Sequence, residues 1–193
     1  NVTRISAVDG KSNLHDFVKK PKETTQNDYE LACTASHLVA MKTALKNGDE
    51  YALIMEDDIE IDHMMENYEK VIKDLNTLPK DFSLVQLHVS NPQVEEWLYK
   101  HDKPFVRWGN QFWSTGAYIV SKAYMEHLVN SHYKNEKIDF GNTRMHVADI
   151  LLYDKSNSVY SLSNPWVVHK VEESFIHGDQ HAQLHAKSRD MIL

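Results

Sequence analysis

The chain has 193 residues, 41% of them hydrophobic and 10% aromatic, which suits one folded domain, residues 1–193, and speaks against disorder. Its 28 acidic and 21 basic residues give a formal net charge of −7, which disfavours nucleic acid and anionic membranes as general partners. The one cysteine, Cys33, excludes an internal disulfide. No apolar run approaches the roughly 20 residues that a membrane span needs.

The start of the chain predicts a strand, a turn and a loop, in that order. Residues 2–8 form a strand-like run, and Asp9 with Gly10 is a turn signal. Residues 11–26 are polar and are predicted as loop. Because the sequence opens on Asn1 and enters the strand-like run almost at once, we expect it to be part of a longer polypeptide.

A long helix is predicted to begin near Asn27, which can cap the first turn while Glu30 completes a capping box. Asn47 and Gly48 end it. The apolar positions at helical spacing are Leu31, Ala35, Leu38, Met41 and Leu45. The next apolar run, YALIM at residues 51–55, lies between a turn and a charge cluster, which is typical of a buried parallel strand.

Helical and extended patterns continue to alternate, which favours an α/β domain. Asp62 can cap a helix, and its predicted inner stripe is Met65, Tyr68, Ile72 and Leu75. Residues 90–110 are aromatic, polar and irregular, which predicts a long functional loop or lid. The other predicted elements are strands at residues 82–88, 116–120, 159–162 and 166–169, a helix from Ser121 to about residue 130, and an apolar segment at residues 149–152.

The most informative segment is YALIMEDDIEID, residues 51–62. An apolar strand leads directly into Glu56, Asp57 and Asp58, and open α/β sheets bind ligands at the carboxyl ends of their strands. Three adjacent carboxylates repel one another, so a cation is the natural compensation. Oxygen ligands suit hard cations, and the segment therefore predicts a site for Mg²⁺ or Mn²⁺.

A structural role explains the same acids equally well when they are considered alone. Acidic side chains at the start of a helix are stabilised by the helix dipole and are commonly solvated. The neighbouring sequence motifs favour the metal-binding interpretation.

Four segments resemble glycosyltransferase family 25, which includes lipooligosaccharide and collagen galactosyltransferases. They are RISAVDG at residues 4–10, CTASH at 33–37, LIMEDD at 53–58 and WSTGAYIVS at 113–121. Their order and spacing agree with the family, and together they span about two thirds of the chain.

The resemblance implies a GT-A fold, a Rossmann-like mixed sheet that binds a nucleotide sugar and is flanked by helices. It also implies a UDP-sugar donor, Mn²⁺ (or Mg²⁺) as cofactor, and inversion at the anomeric carbon. The acceptor would be a hydroxyl of a glycan or glycoprotein, as in lipopolysaccharide biosynthesis. The family's opening strand falls before Asn1, so this sequence would lack it.

The metal and the diphosphate are assigned to Asp58, with Glu56 in support, and Asp57 is expected to bind the ribose. A divalent ion there would neutralise the charge that develops on the diphosphate leaving group. GT-A enzymes often complete the metal site with a histidine near the end of the chain. His177 is the first choice for that ligand and His169 the second.

The nucleotide is assigned to Ala7, Asp9 and Gly10, because a glycine permits close backbone approach, although a plain turn explains them equally well. Ser36, near the start of the long helix, either faces the donor or fixes the adjoining loop. His37 has the same two alternatives, and the structural role of fixing the loop by hydrogen bonds is preferred.

An inverting transfer needs a carboxylate base beside the acceptor hydroxyl, and Asp149, at the head of an apolar run, is the candidate. A helix cap is the structural alternative, and Asp139 is a weaker candidate. One of Trp97, Trp108 and Trp113 is expected to stack on a sugar.

Two other classes of function stay open. A metal-dependent phosphoesterase also uses clustered acids, but a two-metal site would need further carboxylates. A non-catalytic module for divalent ions or glycans would suit a piece without its first strand. The favoured localisation is cytoplasmic, for a bacterial or viral protein.

Overall fold

The computed structural model describes residues 2–21, 24–141, 146–153, 158–171 and 179–193. The chain divides into two compact units. The first comprises Asn1–Ala52 and Ser121–Asp154, and the second comprises Leu53–Val120 and Lys155–Leu193. No helix in the described part of the chain combines the length and the apolar character that a membrane crossing requires.

The first unit is built on helices and one small sheet. Its strands run in the order β1-β8-β7, with β1 parallel and β7 antiparallel to β8. Its elements are α1 (Leu14–Phe17), β1 (Val18–Lys19), α2 (Asp28–Asn47), α6 (Lys122–His132), β7 (Tyr133–Lys134), β8 (Lys137–Asp139) and α7 (Ala148–Leu151).

The long helix α2 is the centre of the first unit, and its predicted ends are confirmed. The Asn27 side chain accepts hydrogen bonds from the first turn, and the Glu30 side chain accepts one from the Asn27 backbone, which is the predicted capping box. Gly48 ends the helix with a φ of 80°, a left-handed conformation that glycine adopts without strain. The fully buried face includes Leu31, Leu38 and Met41, and α2 packs against α6 and α7.

The second unit is built on a five-stranded sheet in the order β2-β6-β4-β9-β5. Strand β4 is antiparallel to β6 and parallel to β9, so the sheet is mixed. A separate antiparallel pair joins β3 and β10. The elements are β2 (Tyr51–Met55, in this unit from Leu53), β3 (Ile59–Glu60), α3 (Asp62–Glu66), α4 (Tyr68–Leu75), β4 (Leu84–Gln86), α5 (Pro92–Leu98), β5 (Phe105–Arg107), β6 (Ala117–Ser121, in this unit to Val120), β9 (Val159–Leu162), β10 (Val168–His169) and α8 (Asp179–Ile192).

The expectation of an α/β chain with a mixed sheet and flanking helices is confirmed. Apolar side chains from several strands and from α4 form the core beneath the sheet of the second unit. The members of that core are Val71, Val85, Leu87, Phe105, Ala117, Leu162, Trp166 and Val167. The GT-A type, the Rossmann-like arrangement and a missing first strand stay predictions.

Two predictions for the start of the chain are wrong. Residues 2–8 form no strand, because this largely exposed segment has no strand partner and only Val8 is buried. The backbone N–H of Val8 instead donates to the Ser36 hydroxyl. The segment predicted as loop, residues 11–26, contains α1 and β1.

Two apolar surfaces that the sequence predicts to be buried are largely exposed in the structure. Strand β2 lies at the sheet edge, with Tyr51 62% and Leu53 47% exposed, so it is not a buried central strand. The helix after Asp62 is broken into α3 and α4, and Val71 points inward while Met65, Tyr68 and Ile72 are exposed. Residues 90–110 contain α5 and β5, so they are not one irregular lid.

Candidate functional site

The acidic segment lies at the turn between β2 and β3, next to β10. In the β3–β10 pair, His169 is directly opposite Ile59, so it lies beside Asp58. Lys170 fixes this arrangement, because its backbone N donates to Asp58 O at 2.7 Å and its side-chain Nζ donates to Asp57 O at 2.9 Å. His169 Nδ1 is 3.5 Å from Asp58 Oδ2.

Asp58 and His169 each have a buried polar atom that the surrounding structure leaves unbonded. Neither Asp58 Oδ1 nor His169 Nδ1 has a hydrogen-bond partner among the described residues. The His169 side chain is 5% exposed, so burial without a partner costs about 1–3 kcal/mol. A bound cation would satisfy both atoms at once.

Helix α8 adds a third group to this pair. The ring of His185 stacks on the ring of His169, with centroids 4.2 Å apart and planes 10° apart. One ligand atom each from Asp58, His169 and His185 lies within 4.8 Å of the other two. The helix is tied to the same strand pair, because Arg189 Nη1 donates to Glu60 Oε2 at 2.8 Å.

The residues of this group fit a divalent metal. Metal bonds to histidine and carboxylate are about 2.0–2.2 Å long, so ligand atoms around one ion lie roughly 3–4.4 Å apart. The observed separations need only small side-chain adjustments. Two imidazoles with one carboxylate suit Mn²⁺ or a later transition metal better than Mg²⁺, which prefers oxygen ligands.

Gly116, in the WSTG segment, is required by this arrangement. A Cβ atom at Gly116 would lie 2.7 Å from His169 Cε1 and 2.7 Å from Ile59 Cδ1. A side chain at this position would therefore displace the candidate ligand.

The other two predicted acids have different surroundings. Glu56 Oε1 accepts a hydrogen bond from Thr115 Oγ1 at 2.9 Å, and Glu56 N donates to Gly116 O, so this residue holds the end of β2 against the WSTG segment. Asp57 is exposed. Their roles in metal and ribose binding stay predictions.

The two histidine candidates for the last metal ligand have different standing. His177, the first choice, lies outside the described residues. His169, the second choice, is the histidine that the structure brings to Asp58. His185 was not predicted, because no assignment could be made for the last stretch of the chain.

The predicted nucleotide-binding residues lie in the first unit, where their polar groups have local partners. Asp9 accepts from Lys11 N and from Ser12 Oγ, and these hydrogen bonds hold the pKa of its exposed carboxyl below the usual value. A Cβ on Gly10 would lie 2.9 Å from the backbone of Asp28, so this glycine has a packing role. Ala7 is exposed.

Ser36 joins this segment to α2. Its hydroxyl accepts from Val8 N at 2.9 Å and donates to Ala32 O at 2.8 Å. This geometry matches the loop-fixing alternative for Ser36. His37 is buried, and its structural role stays a prediction.

Asp149, the predicted catalytic base, is half-buried in the first turn of α7. The N-cap of that helix is Val147, so Asp149 is an acid of the first turn and not the N-cap residue. The weaker candidate Asp139 pairs with Lys19 Nζ at 3.0 Å. The role of Asp149 as a base stays a prediction.

The three candidate sugar-stacking tryptophans differ in burial. Trp108 is buried, and its Nε1 donates to Phe112 O, so it belongs to the packed interior. Trp97 and Trp113 are about half exposed, at 48% and 50%. They remain available to a sugar ring.

A buried polar cluster behind His169 was missed by sequence reasoning. His88 Nδ1 is 3.3 Å from Ser114 Oγ, which is 3.2 Å from His169 Nε2, and His88 Nε2 is 3.3 Å from Ser188 Oγ. The Ser188 hydroxyl donates to Glu95 Oε1. Only Ser114 lies in a motif that the sequence singled out, so no local signal predicts the cluster.

Burial dominates the ionisation of this cluster. It holds the pKa of His88 well below the usual value, with a further contribution from the nearby His169 and His185. Burial also raises the pKa of Glu95 to about 7, although the hydrogen bond from Ser188 opposes that shift. His88 is therefore neutral, and Glu95 is a carboxylate above neutral pH.

Residues 1–141 match the family described as Glycosyltransferase family 25 (LPS biosynthesis protein). The match includes Asp58 and the WSTG segment, and it ends before Asp149, His169 and His185. No curated protein matches the chain. Because the match extends over well over half of the chain and contains the acidic segment, the chain belongs to glycosyltransferase family 25.

Proposed function

We propose that this glycosyltransferase moves a hexose from a UDP-sugar to a hydroxyl of a glycan or protein acceptor, with inversion, in a reaction that depends on Mn²⁺ (or Mg²⁺). One observation carries the proposal. Asp58 Oδ1 and His169 Nδ1 are both buried, neither has a hydrogen-bond partner in the described part of the chain, and the two side chains approach to 3.5 Å.

Asp58, His169 and His185 are the residues that would hold the ion. When bound there, a divalent ion would neutralise the negative charge on a diphosphate leaving group. The three side chains contribute one negative charge when both imidazoles are neutral, so the site keeps attraction for a dianionic or trianionic donor once the ion is bound.

The remaining roles are those that the sequence predicts. Asp57 would accept a hydrogen bond from the ribose, and the segment from Ala7 to Gly10, held by Ser36, would face the nucleotide. Asp149 would accept the proton of the acceptor hydroxyl as that oxygen attacks the anomeric carbon. Attack from the face opposite the leaving diphosphate gives inversion.

The two competing functions make different predictions. A two-metal phosphoesterase needs carboxylates that bridge both ions, whereas the Asp58 cluster, within the described residues, offers one carboxylate and two histidines. A non-catalytic binding module would bind Mn²⁺ but would release no UDP when given a UDP-sugar and an acceptor. Cleavage of a phosphodiester without a sugar donor would favour the phosphoesterase.

The first test is the thermal midpoint of unfolding with Mn²⁺, with UDP and with both together. A ligand at 100 times its dissociation constant stabilises the folded state by about 2.7 kcal/mol, which raises the midpoint of a chain of this size by several degrees. We expect Mn²⁺ plus UDP to stabilise the parent, and Asp58→Ala to abolish the shift.

The matched control is Asp62→Ala, which removes an exposed acid from the same segment. It should keep the stabilisation by Mn²⁺ plus UDP. Equal shifts in the parent and in Asp58→Ala would contradict the assignment of Asp58. A screen of UDP-sugars for UDP release that depends on Mn²⁺ then separates transfer from simple binding.

A further inference from the structure

A hydrogen-bond chain of buried polar side chains leads from His169 to Glu95 in the second unit. The contacts run from His169 Nε2 to Ser114 Oγ, from Ser114 Oγ to His88 Nδ1, and from His88 Nε2 to Ser188 Oγ, each at 3.2–3.3 Å. The last contact joins the Ser188 hydroxyl to Glu95 Oε1. All five residues are at least nine-tenths buried, so their proton positions depend mainly on the hydrogen bonds within this series.

Glu95, at the far end of this hydrogen-bond chain, determines the direction of each hydrogen bond. The Glu95 carboxylate can only accept, so Ser188 must donate to it and in turn accept from His88 Nε2–H. A fully buried, neutral His88 that carries its proton on Nε2 has a bare Nδ1. The Ser114 hydroxyl is 3.3 Å from that nitrogen and gives it its single proton.

At the near end, the Ser114 oxygen is then an acceptor. It accepts from Gly116 N at 3.2 Å, and His169 Nε2 lies at 3.2 Å. Because the Ser114 proton is already given to His88, the contact with His169 requires a proton on His169 Nε2. The neutral imidazole then has its lone pair on Nδ1, the atom that faces Asp58.

The backbone of Ser114 is held in an uncommon conformation that supports this geometry. Its φ is 125°, in the left-handed region that side-chain-bearing residues rarely adopt. The buried amide of Gln86 donates to Ser114 O and to Phe112 O, both at 2.9 Å, and Gln86 Oε1 accepts from Ser161 Oγ at 2.6 Å. Three buried hydrogen bonds therefore fix the segment that presents the Ser114 hydroxyl.

We propose that Ser114, His88, Ser188 and Glu95 are positioning residues that keep His169 in the tautomer with its proton on Nε2 and its bare Nδ1 directed to a cation beside Asp58. The proposal rests on the assignment of Asp58 and His169 as metal ligands in the proposed function. It adds that the metal-binding form of His169 is set by Glu95, four hydrogen bonds away.

The hydrogen-bond chain opposes the effect that Asp58 alone would have on the His169 tautomer. A carboxylate 3.5 Å from His169 Nδ1 would by itself draw the imidazole proton to Nδ1, which would block the lone pair that a metal needs. Residues that hydrogen-bond to metal-ligating histidines fix the tautomer in this way, and their removal typically lowers metal affinity about 10- to 100-fold.

The test measures the tautomer directly, without metal. Side-chain ¹⁵N–¹H NMR at pH 8 distinguishes protonated from bare ring nitrogens, and the His169 signals are assigned by their loss in His169→Gln. We expect a protonated Nε2 and a bare Nδ1 in the parent. Ser188→Ala, which interrupts the hydrogen-bond chain at a position remote from Asp58, should give a mixture of tautomers or the Nδ1–H form.

The metal readout is the affinity for Mn²⁺ alone. Ser188→Ala should lower it about 10-fold, and Ser188→Thr, which restores the hydroxyl at the same position, should recover most of it. Ser114→Ala provides a second cut if Ser188→Ala does not fold, with the same expected loss. A merely structural role would lower the thermal midpoint without changing the tautomer.

The outcomes separate this inference from the proposed function. An Nδ1–H tautomer of His169 in the metal-free parent would overturn the inference, as would unchanged tautomer and Mn²⁺ affinity in both cut variants. If the parent binds no Mn²⁺ but shows the expected tautomer and its loss in Ser188→Ala, the positioning chain stands and the metal assignment fails. If Mn²⁺ binds, and its affinity depends on Asp58 but not on Ser188 or Ser114, the metal assignment stands and the proposed positioning role fails.

Discussion

The two groups of predicted site residues differ in how their polar atoms are satisfied. In the segment from Ala7 to Gly10, the Asp9 carboxylate accepts from its own turn, and the backbone of Val8 is bound by Ser36. Beside β3, the buried Asp58 Oδ1 and His169 Nδ1 have no hydrogen-bond partner among the described residues. The paired groups have a structural explanation, whereas a buried unpaired group needs one, and a bound ion between Asp58 and His169 would supply it.

The largest expected effect is on the rate of sugar transfer and concerns Asp149, a residue of the first unit. A role for it in catalysis would break the comparison, which places the unpaired groups in the second unit. If Asp149 is the general base, Asp149→Asn should lower the rate of sugar transfer by about 10²- to 10⁴-fold, since general-base catalysis typically contributes that much. Mn²⁺ affinity should stay at the parent value. Steady-state UDP release at saturating donor and acceptor measures the rate.

A transfer rate within about threefold of the parent would exclude Asp149 as the base. Asp139→Asn, at the weaker candidate, serves as the control. Asp139 pairs with the exposed Lys19, so its loss should change the rate little.

A matched pair of glycine substitutions sharpens the comparison. Gly116→Ala places a Cβ 2.7 Å from His169 Cε1, whereas Gly10→Ala places one 2.9 Å from the Asp28 backbone. Both should destabilise the fold by about 1–3 kcal/mol through overpacking, which chemical denaturation measures. Only Gly116→Ala should also weaken Mn²⁺ binding, because only its clash displaces a candidate ligand.

Loss of Mn²⁺ affinity in Gly10→Ala, or its full retention in a folded Gly116→Ala protein, would contradict that distinction. The two substitutions add the same methyl group, so the difference in metal affinity reports the site and not the size of the change.

The last prediction concerns stability and its dependence on pH. Burial raises the pKa of Glu95 to about 7, so the folded state binds more protons than the unfolded state between pH 4.5 and 7. Stability contributed by this group is therefore present at low pH and is lost as the pH rises through 7. Glu95→Gln removes the cost of burying the charge.

We expect Glu95→Gln to equal the parent in stability near pH 4 and to exceed it by up to about 3 kcal/mol at pH 8. Urea unfolding at both pH values measures the difference, with Glu96→Gln, at an exposed neighbour paired with Lys100, as the control. A Glu95→Gln protein that is less stable than the parent at pH 8 would show that His88 and Ser188 compensate the buried charge fully.

Local signals in the sequence predicted much of the fold. The capping box at Asn27 and Glu30 and the glycine at position 48 specify α2 through contacts within a few residues. The strands near residues 84–86, 117–121 and 159–162 follow from short apolar runs. Residues 2–8 form no strand, and of the predicted stripe only Leu75 packs against the core, because apolar character alone does not say which face finds a partner.

The site was only partly predictable, for a physical reason. Asp58 follows from three acids after a strand, but its pairing with His169 depends on the register of β3 with β10, which joins residues more than 100 positions apart. The contact between Ser188 and Glu95 spans 93 positions. No local pattern encodes such pairs, and they appear only when the tertiary structure brings the elements together.

The most direct measurement of the central claim is a titration of Mn²⁺ alone, with free Mn²⁺ followed by electron paramagnetic resonance. The proteins are the parent, Asp58→Ala, His169→Gln and the control Asp62→Ala. We expect one bound ion in the parent and in Asp62→Ala, with binding lost in the other two. Equal binding by all four proteins would contradict the assignment of Asp58 and His169 as the metal site.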